Sequence, residues 1–142
     1  MVPFFDSNVL VYTVDRAEPE KREVARALFE EHLREGSGFL SPQVLREFYV
    51  ASTRKLATPL PEQAARDAVE DLGAYCTLQE SREMILSAVS RKQRLSISFW
   101  DALIVEAAIL GGADHILTED LQHGQVIEGV KVHNPFLRAY ES

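Results

Sequence analysis

Four carboxylates stand where one fold could gather them: Asp6, Glu47, Asp101 and Asp120. Asp6 closes a short apolar run, Val2 to Phe5, and Thr118-Glu119-Asp120 follows another, His115 to Leu117. Glu47 falls in the second turn of a segment opened by Ser41-Pro42, just after Gly38 to Leu40. If these apolar runs are strands of a parallel sheet, the three acids lie beyond their carboxyl ends, the edge at which open α/β sheets bind ligands. Asp101 sits in the first turn of an almost wholly apolar stretch, Ser98 to Leu110, with Val105 and Ala108 as its nearest neighbours on a helical wheel. It is expected to point into apolar surroundings, where a carboxylate needs a cation, a hydrogen-bond network or a proton. Two carboxylates about 6 Å apart repel by roughly 3 kcal/mol at an effective dielectric of ~20, so a cluster of such groups calls for a cation. Oxygen-only donors suit Mg²⁺ or Mn²⁺. Such an ion activates water and offsets charge in phosphodiester hydrolysis.

Each acid alone has an ordinary reading. Asp6 suits a turn or helix cap, and Asp101 completes a capping box, Ser98-Phe99-Trp100-Asp101. Glu47 and Asp120 are ordinary solvated acids. Only their convergence would make a site.

The elements that must position them follow from periodicity and punctuation. Val2 to Phe5 predicts a buried strand and Val9 to Val14 a following helix. Val24, Leu28, Phe29 and Leu33 recur at helical spacing between Pro19 and Glu35. Gly38 to Leu40 predicts a second strand, Ser41 to about Leu56 a helix, and Tyr75 to Leu78 a third strand after the stripe Ala64, Ala65, Ala68, Val69 and Leu72. A helix around Met84 to Val89 ends on Arg91, Lys92 and Arg94, where cations suit the helix dipole. Ser98 to Leu110 predicts a largely buried helix, His115 to Thr118 a fourth strand and Val130 to Val132 a fifth. Strands alternating with helices imply a parallel sheet covered on both faces.

Length bounds the answer: 142 residues make one domain over 1–142 the expectation. Apolar residues are 46% and charged residues 26%, which excludes disordered, collagenous and coiled-coil classes. A formal charge of -7 argues against coating nucleic acid by bulk electrostatics, so any such contact must be local. Cys76 is the only cysteine, which rules out an internal disulfide and a cysteine-based zinc site and fits a reducing, cytoplasmic setting. No run is long and apolar enough to suggest a membrane span or secretory signal.

Four segments resemble the motifs of PIN-domain nucleases: Phe5 to Tyr12, Ser41 to Tyr49, Ser96 to Ile104 and Leu117 to Leu121. The match is closest to VapC-type toxins of bacterial toxin-antitoxin pairs and extends through Gly124 to Gly129 and Asn134-Pro135-Phe136. The resemblance implies an α/β/α sandwich with a parallel sheet in the order 3-2-1-4-5 and a Mg²⁺-dependent ribonuclease. It further implies a cognate antitoxin as partner and a homodimer. It places Asp6, Asp101 and Asp120 as direct metal ligands and Glu47 on the ion's water shell or a second ion. Ser7, Asn8 and Thr118 would orient these ligands, and the spacing Thr118-x-Asp120 favours Asp120 over Glu119. The alternative is a non-catalytic PIN-like module that binds RNA or protein.

Other enzyme classes fit less well. Haloacid-dehalogenase-like phosphatases carry a second aspartate two positions after the first, where Asn8 stands, and no phosphate-cradling GxxxxGK loop is present. For RNA phosphates the candidates are Arg46, Arg54 and Lys55 or Arg91, Lys92 and Arg94, with solvated basic helix ends as the plain reading. Phe48, Tyr49 and Trp100 read as core or dimer contacts before base-stacking platforms, and His115, His123 and His133 lack metal spacing.

Overall fold

The computed structural model describes residues 1–137. The first apolar run forms β1 (Pro3–Phe5), buried throughout. Asp6 ends the strand and caps α1 (Ser7–Tyr12), its carboxylate accepting from the Ser7 N–H. α2 (Pro19–Leu28) starts on a proline and passes into a wider-wound turn at Phe29–Arg34, so the expected helix over 19–35 has two pitches.

Ser41 caps α3 (Pro42–Arg54) by accepting from the Val44 N–H, with Pro42 where its missing donor costs nothing. α4 (Glu62–Gly73) restarts after Pro61, and α5 (Arg82–Leu95) is capped by Ser81. α6 (Phe99–Leu110) is capped by Ser98 and buried without interruption from Ala102 to Ala108, as its all-round apolar character requires. β2 (His115–Leu117), β3 (Val126–Ile127) and β4 (Val130–His133) complete the chain.

β1, β2 and β4 pair in parallel, and β3 closes the edge antiparallel to β4, giving the order β1-β2-β4-β3. The mixed α/β class, a central sheet flanked by helices, is the one expected; the strand order differs slightly. The expected second and third strands are reduced to isolated parallel bridges, Phe4 with Phe39 and Leu40 with Cys76. The reason is local: Leu40 runs directly into the Ser41 cap, leaving too few extended residues for a ladder. β3 was not foreseen. It turns into β4 through Glu128 and Gly129, both at positive φ (51° and 86°), a two-residue turn of the twist that hairpins favour.

Phe4, Phe5, Ile116, Leu117 and Val132 from the sheet pack with Val9, Leu10, Val44, Phe48 and Val105 from the helices in one large core. Gly111 lets the end of α6 approach the Phe39 ring: a Cβ there would lie 2.1 Å from it. The buried acid of α6 is Glu106, not Asp101. Arg91 of α5 reaches Glu106 at 2.8 Å and Glu128 at 3.2 Å. Among the described residues, no helix is long and apolar enough to cross a membrane.

Candidate active site

Asp6, Glu47, Asp101 and Asp120 all line one cleft of about 300 Å³. They arrive from the end of β1, the second turn of α3, the first turn of α6 and the loop after β2. Burial falls off from Asp6, which is buried, through the half-buried Glu47 and Asp101 to the exposed Asp120. The apolar surroundings expected for Asp101 are therefore not what it faces. The first turn of α6 opens on the cleft, and the apolar burial begins one residue later. Ser98 Oγ accepts from the Asp101 N–H at 3.0 Å, but no return bond from the Asp101 carboxylate exists among the described residues, so the capping box is half made.

Short polar side chains hold the acids in place. Thr118 Oγ1 donates to Asp6 Oδ2 at 2.8 Å and accepts from the Asp120 N–H at 3.1 Å. The Asn8 amide nitrogen lies 3.3 Å from Asp6 Oδ2, 3.1 Å from Asp120 Oδ2 and 3.0 Å from Thr118 Oγ1, and Asn8 Oδ1 accepts from the Glu119 N–H. One neutral side chain thus ties two carboxylates together without neutralising either. Ser7 donates to Glu47 Oε1 at 3.2 Å.

Gln43, overlooked in the sequence, donates to Glu47 Oε2 at 3.4 Å and to the Trp100 carbonyl at 3.3 Å, joining α3 to the start of α6. Its placement one turn before Glu47 was the available signal.

The electrostatics are those of a site short of positive charge. Burial pushes the Asp6 carboxyl from 3.8 up to about 6. The bonds from Thr118 and Ser7 pull the other way, and the charges of Glu47 and Asp120 add to the rise.

Glu119 turns away from the cleft: it accepts from the Tyr12 hydroxyl at 2.5 Å and pairs with Lys21 at 3.2 Å. Of the basic candidates, Arg46 is paired with Glu80, Arg91 with Glu106 and Glu128, and Arg94 with Glu128. Lys55 lines the cleft. Phe48 belongs to the core, whereas Tyr49 and Trp100 are exposed, Trp100 on the cleft itself. A larger open groove of about 680 Å³ beside α4 holds none of the four acids. Its Glu62, Arg66 and Glu70 follow one another at the spacing of a solvated helix face.

Among the described residues, no three His, Cys, Asp or Glu side chains converge closely enough to enclose a metal ion as they stand. The donor set still suits a hard divalent ion that retains much of its water, because such ions are commonly bound by only one or two carboxylates plus phosphate oxygens. An all-protein cage is not what that chemistry demands.

The PIN domain family matches residues 4–128, and the chain belongs to it. Among curated proteins none matches. Among solved structures the chain is similar to one in a toxin-antitoxin complex from Klebsiella pneumoniae, at 20% identity and a TM-score of 0.67, over 94% of this chain and 98% of that one. It is also similar to a chain of VapBC2 from Rickettsia felis bound to a promoter DNA fragment, at 16% identity and a TM-score of 0.61, with the same coverage. At these identities the likeness is one of fold.

Proposed function

We propose that the cleft hydrolyses RNA phosphodiesters with Mg²⁺, or Mn²⁺ in its place, and that the protein is the VapC-type toxin of a toxin-antitoxin pair. It would act in the cytoplasm as a homodimer restrained by its antitoxin. The observation that carries this reading is the arrival of Asp6, Glu47, Asp101 and Asp120 from four separate elements on one cleft. The toxin-antitoxin assignment draws on the family and on the kind of complex in which the similar folds occur.

Asp6, Asp101 and Asp120 would hold the ion, with Glu47 on its water shell or on a second ion. A bound divalent ion supplies an acidified water as nucleophile and offsets charge on the phosphate and the leaving oxygen. The chain's own residues do the rest. Asn8 and Thr118 keep Asp6 and Asp120 side by side, Ser7 and Gln43 orient Glu47, and the buried Asp6 favours a cation over solvent as its partner.

The test is cleavage of a mixed RNA pool in MgCl₂ by the wild-type protein and by Asp101→Asn, with EDTA as control. Cleavage abolished by EDTA and by the variant supports the reading. Binding of the pool without cleavage under any divalent ion would leave the non-catalytic module in its place. Growth arrest on induced expression, absent for Asp101→Asn and relieved by a co-expressed antitoxin, tests the toxin assignment.

A further inference from the structure

Trp100 is the chain's only tryptophan, and it is 62% exposed, against the usual deep burial of this side chain. Its position is nonetheless fixed. Its carbonyl accepts from the Gln43 amide, and its ring meets Phe99 in a T-shaped contact with centroids 5.4 Å apart. Trp100 lines the cleft one residue before Asp101.

Lys55, the C-cap residue of α3, lines the same cleft. It makes no ion pair among the described residues although four carboxylates share its cleft, whereas Lys21, Arg46, Arg91 and Arg94 are all committed to acids.

An exposed aromatic side chain that shares a cleft with an unspent cation is a combination that binds single-stranded nucleic acid: the base stacks and the phosphate pairs. The geometry points to a nucleotide subsite formed by Trp100 and Lys55, in which a base of single-stranded RNA stacks on the indole and an adjacent phosphate meets Lys55. This rests on the RNA-hydrolysing reading for what the carboxylates do, and adds how the substrate is seated. A chain of net charge -7 cannot draw RNA in by bulk attraction. Stacking is indifferent to that charge, and Lys55 supplies a local positive centre at the mouth of an acidic cleft.

The single tryptophan makes the test direct. A mixed-sequence, single-stranded 12-mer RNA is titrated in MgCl₂ into the cleavage-deficient Asp120→Asn protein while Trp100 emission is followed. In parallel, binding of the dye-labelled pool is measured by anisotropy for Trp100→Ala, Trp100→Phe and Lys55→Ala in the same background. Quenching that saturates with RNA is expected, with Kd weakened about tenfold by Trp100→Ala and largely restored by Trp100→Phe. Lys55→Ala is expected to lower the slope of log Kd on log salt by about one.

Emission indifferent to RNA, or Trp100→Ala binding as tightly as its parent, overturns the subsite. Emission that changes only with protein concentration also overturns it, and assigns the indole to a protein contact. The two readings fail separately. Wild-type cleavage with no effect of Trp100→Ala on binding removes the subsite alone, while quenching by an RNA that the wild-type protein never cleaves supports the subsite and removes the hydrolase.

Discussion

Replacing Asp6 by asparagine is expected to stabilise the metal-free protein at neutral pH while abolishing its response to Mg²⁺. The Asp6 carboxyl moves from 3.8 to about 6 on folding, chiefly because it is buried. The folded state therefore holds the proton more tightly than the unfolded chain. Stability from this group is complete below about pH 4 and is lost as pH rises through 6. That difference costs roughly 3 kcal/mol once the group is ionised.

Asparagine removes that cost and keeps an oxygen where Thr118 and Asn8 donate. Its amide then faces the Ser7 N–H, forfeiting a cap bond of about 1 kcal/mol. The net gain of about 2 kcal/mol corresponds to a Tm rise of about 7 °C for a chain of this length. At pH 5 the ionisation cost is roughly halved and the two proteins draw together, and towards pH 4 the advantage of Asp6→Asn disappears.

Thermal melts in EDTA at pH 7.5, 5 and 4 measure this. Adding Mg²⁺ at ten times its Kd should then raise the wild-type protein by about 1.4 kcal/mol and leave Asp6→Asn unmoved. An Asp6→Asn protein that melts below wild type at pH 7.5, or a gap that does not depend on pH, would refute the reasoning.

Asp120→Asn should erase the Mg²⁺-induced rise in Tm. Glu119→Gln should keep it while losing about 1 kcal/mol of stability with the half-exposed Lys21 pair; loss of the Mg²⁺ response in Glu119→Gln alone would transfer the ligand role to Glu119. Arg91→Ala strands the buried Glu106 and is expected to cost about 3–5 kcal/mol by urea unfolding. Arg91→Met combined with Glu106→Leu should recover most of that, and a double variant as weak as the single would contradict the account. Gly111→Ala drives a methyl into the Phe39 ring and should cost about 1–3 kcal/mol. Pairing it with Phe39→Leu should lessen the loss, and an additive outcome would show that the ring is not the obstacle.

Most elements were legible because their signals are local. Ser41-Pro42 and Ser98 cap helices from adjacent sequence, and the apolar runs of β1 and β2 need no partner to be seen. What escaped depends on partners distant in the chain. The burial of Glu106 is one such feature, because Arg91, which makes it tolerable, belongs to another helix. Asp101 looked buried because a helical wheel records neighbours within the helix and not the cleft beyond its first turn. The β3–β4 turn was hidden because Glu128 occupies a positive-φ position where asparagine, aspartate or glycine would have announced a hairpin. Asp6 suits both a cap and a ligand in the sequence; its carboxylate does cap α1, and the same residue lines the cleft.

The acids reach the cleft from across nearly the whole chain: Asp6 and Thr118 touch although 112 positions separate them. The consequence is temporal. An N-terminal fragment, or a chain still being synthesised, can carry Asp6, Glu47 and Asp101 while lacking the strand and loop that bring in Thr118 and Asp120. Closure of so long a loop belongs late in folding, since its entropy must be met before the contact rewards it. The cleft is thus completed only when the two halves of the sheet meet, and a truncated or half-folded copy lacks Thr118 and Asp120 in it. For a protein proposed to cut RNA in the cell that makes it, this topology acts as a timer.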